Sequence, residues 1–157
     1  MSAPPPTTDT PLPKPTMILN LAATSLLAST TFYTTLGFTP LPAWSDAGTT
    51  ALRLPAPHAH IALMLHTPER FRLFMRPANA IAGAREATGA LFSIICDSKA
   101  VVDGWLDRAV AAGGEKDPWA LDGYGAGWGM YSRTWADGDG HVWEVVTFFE
   151  GEEEGEE

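Results

Sequence analysis

GMYSRTWADGDGHVWEVVTFF, residues 129–149, contains two apolar-rich stretches around a turn. Gly and Asp tolerate left-handed backbone and dominate tight turns, so DGDG at 137–140 predicts a hairpin between strands over 128–135 and 141–149. Working backwards, ALFSIIC at 90–96 has the length of a buried strand. Asp97 or Ser98 then caps a helix whose Val101, Val102, Trp105, Leu106, Ala109 and Val110 recur on one face. Gly113-Gly114 ends that helix, and a weaker strand over 115–119 precedes the hairpin. The order is βαβββ.

The same order stands earlier in the chain. MILNLA at 17–22 reads as a strand, and Thr24 or Ser25 caps a helix over 26–36 that stops at Gly37. Strands follow over 38–44, 49–54 and 60–66, the last with Ile61, Leu63 and Leu65 alternating. Thr67 and Pro68 then open a short helix. These readings predict an α+β domain over 17–149 of two βαβββ modules, 17–74 and 89–149, joined by a linker over 75–88. Together they form a cupped mixed sheet with helices on the outer face.

Composition narrows the function classes. Six prolines and five Ser/Thr in residues 1–16 predict a flexible tail. The formal charge of −9 is concentrated at the other end, where EGEEEGEE, residues 150–157, holds six of the 19 acids. Such a run of like charge predicts a solvated tail. The remainder carries thirteen acids against ten bases, which leaves no basic face for nucleic acid. A transmembrane helix needs about 20 apolar residues, so no membrane span is predicted. Cys96 has no second cysteine to pair with, and a cytoplasmic protein is expected.

FYTTLGF at 32–38 and ADGDGHVWEVV at 136–146 resemble the two signatures of the glyoxalase, bleomycin-resistance and extradiol-dioxygenase (vicinal oxygen chelate) superfamily. ILNLA at 18–22, MLHTPERF at 64–71 and GMYSRTWADGDGHVWE at 129–144 resemble an uncharacterised glyoxalase-like subgroup. The resemblance implies a small-molecule ligand in the concave cleft and a cup closed within one chain or across a swapped homodimer. A homodimer is expected. Metal-dependent members hold a divalent ion with His, Gln or Glu side chains. Their positions fall here at Ile18, Met64, Leu91 and Glu144, so only Glu144 retains a ligand. The leading expectation is therefore small-molecule binding without a cofactor. The alternative is a lyase or isomerase resembling lactoylglutathione lyase, with Zn or Ni held by Glu144 and His66. A dioxygenase would need two His and a carboxylate, and Leu91 argues against it.

Alternation along the strands selects the candidate residues. Asn20 shares a face with Ile18, and His66 shares one with Met64. Glu144 is the expected catalytic carboxylate if there is one. If the turn pairs Ala136 with His141, Arg133 lies opposite Glu144, where it can hold the hairpin together or orient an anionic ligand. A shift by one places Thr134 there instead. Asn20, Arg133, Tyr131, Trp128 and Trp44 are the expected substrate-binding residues. DPWALDGYGAGWG at 117–129 reads as a lid or as a surface loop anchored by aromatics. His58 and His60 resemble a metal pair, but PAPHAH at 55–60 reads as a mobile turn and only two imidazoles converge; His141 reads as structural, and Cys96, Phe32, Trp105 and Trp143 as core.

Overall fold

The computed structural model describes residues 11–120 and 123–149. The acidic run at 150–157 and most of the proline-rich segment lie outside the described residues. Just before the first strand the chain is fastened. The Pro13 carbonyl accepts from Arg53, and the Thr16 N–H donates to the His60 carbonyl at 2.7 Å.

Module 1 comprises β1 (Met17–Ala22), α1 (Leu26–Thr35), β2 (Thr39–Pro40), β3 (Thr49–Arg53) and β4 (Ile61–His66), followed by the short α2 (Pro68–Arg72). Module 2 comprises β5 (Phe92–Ile95), α3 (Lys99–Ala111), β6 (Glu115–Lys116), β7 (Met130–Ala136) and β8 (Val142–Phe148). Each module forms a four-stranded mixed sheet, ordered β1-β4-β3-β2 and β5-β8-β7-β6, with one parallel and two antiparallel pairings. Two of the expected strands shrink to two residues each. Pro40 and Pro42 lack the N–H a ladder needs, so 38–44 yields a two-residue β2 and a 3₁₀ turn at Pro42–Trp44. β6 stops where Asp117 turns to φ 47° ahead of Pro118.

Serine caps both main helices. Ser25 and Ser98 each accept the backbone N–H three residues on, at 3.2 Å, an arrangement worth about 1 kcal/mol. α1 is rich in threonine, and Thr31, Thr34 and Thr35 return their hydroxyls to carbonyls one turn back at 2.8–2.9 Å. Such bonds do not strengthen a helix. α1 is held instead by burial of Phe32, Tyr33 and Leu36.

Those side chains join the modules. Phe32, Tyr33 and Leu36 share one core with Leu52, Leu63 and Leu65 of the first sheet and with Trp135, Trp143 and Val145 of the second. Trp105, Trp135 and Trp143 stack nearly parallel, with centroids 6.1 and 5.4 Å apart. At the centre the Tyr33 hydroxyl donates to Asp137 at 2.7 Å and accepts from Trp143 Nε1 at 3.1 Å. Burial, then the negative charge of Asp137, pushes the Tyr33 phenol well above its usual range. The modules therefore meet through their helix-covered faces. The opposite face of each sheet stays open.

The same carboxylate settles the hairpin register. Asp137 Oδ1 accepts the backbone N–H groups of Asp139 and His141, so the loop takes in His141 and Ala136 pairs with Val142. Thr134, not Arg133, lies opposite Glu144. Of the two registers the sequence leaves open, the shifted one holds, because the loop is one residue longer than the DGDG motif.

Candidate functional sites on the open faces

The open face of module 1 carries a cavity of about 590 Å³, within the usual range of ligand sites. β1 and β4 run parallel with Asn20 beside Met64 and Ala22 beside His66, while β3 sets Thr49 against His66. Period-two alternation then turns Asn20, Met64, His66 and Thr49 to one side. α2 adds Arg70, Phe71 and Phe74, and the 3₁₀ turn adds Trp44.

A relay of hydrogen bonds crosses this face. Arg70 Nη1 donates to Asp46 at 3.0 Å and to the Thr49 hydroxyl at 3.1 Å. The Thr49 hydroxyl lies 2.7 Å from His66 Nδ1, and His66 Nε2 lies 2.8 Å from Asn20 Oδ1. His66 and Thr49 are buried. Burial first, and the Arg70 charge second, hold the imidazole below its ordinary pKa, so it is neutral at neutral pH. Gly48 makes room for the arginine, since a Cβ there would stand 2.8 Å from Nη2.

The open face of module 2 carries a cavity of about 480 Å³ over β7 and β8. Glu144 accepts Ser93 Oγ on Oε1 at 2.7 Å and Ser132 Oγ on Oε2 at 2.6 Å. The aromatic loop flanks it: the Trp119 carbonyl accepts from Thr134 at 2.6 Å, and Tyr124 sits edge-on to Trp128 with centroids 5.2 Å apart. Residues 121 and 122 of that loop lie outside the described residues.

The structure brings Asn20, Trp44 and His66 into one cleft and puts Glu144 in another, with no lining residue in common. Tyr131 and Arg133 border the second cavity, but their polar ends turn toward the helix side. Tyr131 donates to Asp103 of α3 at 2.6 Å, and Arg133 pairs with Asp117 at 2.7 Å and Asp103 at 3.4 Å. The odd-numbered residues of β7 share their face with buried Trp135, which explains the turn away from Glu144. Trp128 is 71 % exposed and touches Tyr124 rather than lining the cavity.

Among the remaining candidates, His58 Nε2 lies 2.8 Å from the Ile95 carbonyl on the free edge of β5. His141 Nε2 lies 2.9 Å from the Ala22 carbonyl. Burial raises the Cys96 thiol pKa, as suits an unreactive core residue. Arg70, Thr49, Ser93 and Ser132 are the residues that sequence reasoning missed. Alternation places Ser93 and Ser132 beside Glu144 once the register is known, whereas nothing local ties Arg70 to Thr49.

The donor set does not fit a divalent cation. Ile18 and Leu91 are hydrocarbon side chains, both ring nitrogens of His66 are engaged, and each oxygen of Glu144 holds a serine hydroxyl. Among the described residues no three His, Cys, Asp or Glu side chains cluster as metal ligands would.

No curated protein matches this chain in sequence. Solved structures resemble it closely in shape. A glyoxalase/bleomycin resistance protein/dioxygenase family enzyme from Burkholderia phytofirmans PsJN superposes with a TM-score of 0.66 at 16 % identity, covering 84 % of this chain and 97 % of that one. A glyoxalase/bleomycin resistance protein/dioxygenase from Nocardioides gives 0.62 at 25 % identity, over 94 % and 92 % of the two chains. Lactoylglutathione lyase from Agrobacterium tumefaciens gives 0.56 at 23 % identity, over 86 % and 94 %. The model of the Glyoxalase/Bleomycin resistance protein/Dioxygenase superfamily matches residues 17–145, and the chain belongs to that superfamily.

Proposed function

We propose that this chain binds a small molecule with an apolar body in the open-face cleft of module 1, without help from a metal. The carrying observation is the relay Arg70–Thr49–His66–Asn20, buried at Thr49 and His66, which ends on an exposed amide among Trp44, Phe71 and Phe74. Apolar walls with a few fixed polar groups are what orient a small ligand. The test is an NMR titration of ¹⁵N-labelled protein with naphthalene and indole derivatives. Shifts should gather at Asn20, Trp44 and Phe74. Shifts gathered only around Glu144, or none anywhere, would end the proposal.

A homodimer belongs to the same reading. β1 and β5 are edge strands, and Met17, Ile18, Leu91 and Ile95 on or beside them are exposed. Apolar side chains along an unpaired edge favour a second copy. That copy would set a Glu144 face over an Asn20 face and close the cleft. Light scattering at micromolar concentration should give twice the chain mass, and a monomer there would exclude closure by a second copy. Among the described residues no helix is long and apolar enough to cross a membrane. Buried, unpaired Cys96 suits a reducing compartment such as the cytoplasm.

A further inference from the structure

We propose that the module 1 cleft selects ligands carrying a carboxylate or a similar anionic acceptor, and discriminates against organic cations. This rests on the ligand-binding reading above and names the ligand class of the same site. Protons run along the relay in one direction, from Arg70 toward Asn20.

Arginine can only donate. Its Nη1–H therefore occupies an acceptor position on the Thr49 hydroxyl. Thr49 is buried, so its own hydrogen needs an acceptor, and His66 Nδ1 at 2.7 Å is the one its hydroxyl reaches among the described residues. A neutral imidazole carries one ring proton, and with Nδ1 accepting, that proton sits on Nε2. Nε2–H then donates to Asn20 Oδ1 at 2.8 Å. The Asn20 oxygen is consumed, and the group this exposed side chain has left to offer the cleft is its Nδ2 amino group, a donor.

The charge distribution agrees. Arg70 is the charged side chain in the cavity wall, while its partner Asp46 lies outside the lining and is more exposed than Arg70 itself. Among the described residues neither Nε nor Nη2 of Arg70 has an acceptor. The cleft thus presents an amide donor, the positive charge of Arg70 and aromatic walls, with no carboxylate among its lining residues. A ligand with an acceptor on an aromatic body satisfies all of these, and a guanidinium fork suits a carboxylate best.

Three probes of one shape separate the possibilities: 2-naphthoate, neutral 2-naphthamide and cationic 2-naphthylmethylammonium. Affinities come from calorimetry, and the Asn20 side-chain amide is followed by NMR. Naphthoate should bind at least tenfold tighter than the ammonium probe and shift the Asn20 Nδ2 signals. Asn20→Asp keeps an oxygen for His66 but turns the cleft-facing donor into an acceptor, so it should reverse the order. Gly48→Ala displaces the far end of Arg70 while leaving the strands alone, and should lower naphthoate affinity at least threefold. Equal or tighter binding of the ammonium probe, with Asn20 signals moving, would overturn the ligand class and leave the cleft reading standing. An unchanged order in Asn20→Asp would do the same. Silence of the Asn20 and Trp44 signals with all three probes would overturn both.

Discussion

The two open faces descend from one architectural plan and use their polar groups in opposite ways. In module 1 the relay runs in one direction, from a partly exposed Arg70 through the buried pair Thr49 and His66 to an exposed Asn20. In module 2 a half-buried Glu144 holds two serine hydroxyls that water could replace. A buried donor or acceptor that loses its partner keeps its desolvation penalty, whereas a wet one finds water. The first face should therefore couple binding to stability, and the second should not.

Thr49→Val should have the largest effect, because it leaves His66 Nδ1 and one Arg70 donor without a partner. About 1–3 kcal/mol of folding stability should be lost in urea unfolding. A loss below about 0.5 kcal/mol would mean that the relay is loosely made. The same substitution should weaken naphthoate binding.

The pH dependence is the next effect in size and again belongs to module 1. Because the folded pKa of His66 is depressed, first by burial and then by Arg70, the unfolded chain binds the proton more readily. Stability from this ring is complete above the unfolded pKa of about 6.5 and is lost as pH falls below it toward the folded value. Asp46 is held low by the Gly48 N–H and by Arg70, and adds a second loss only below about pH 4. Subtracting the profile of His66→Gln isolates the ring. If the two profiles run parallel between pH 7 and 5, the imidazole is not held neutral by the fold.

Glu144→Gln should cost about 1 kcal/mol or less, since Ser93 and Ser132 can still bond to the amide or to water. Arg133→Gln should cost no more. Its partners Asp103 and Asp117 are partly exposed, and such pairs contribute about 0–1 kcal/mol. Chemical denaturation checks both. A loss of several kcal/mol from Glu144→Gln would show that the second face is as tightly built as the first and would remove the contrast.

Much of this was legible in the sequence, for local reasons. β1, the starts of both main helices to within one residue and the stop at Gly37 follow from neighbouring residues, and alternation put His66 on the face of Met64, while the pairing of Asn20 with Met64 needed the strand register. What was not legible depends on contacts far along the chain. The hairpin register turns on Asp137, whose carboxylate is fixed by Tyr33, more than a hundred residues earlier, and by two backbone N–H groups of its own loop. That one-residue difference separates Arg133 from Glu144. Arg70 reaches Thr49 past the bare Cα of Gly48, and no periodicity reports such a gap. Pro40 and Pro42 were visible and still read as strand, although each removes a ladder donor.

In the function proposed above, the module 1 cleft holds its ligand with the chain's own donors. The most direct test is calorimetric titration of 2-naphthoate into protein before and after exhaustive EDTA treatment, with metal content measured on the same samples. The same affinity is expected in both, with no dependence on added Zn²⁺ or Ni²⁺. Binding that disappears with EDTA and returns with one equivalent of either ion would contradict it.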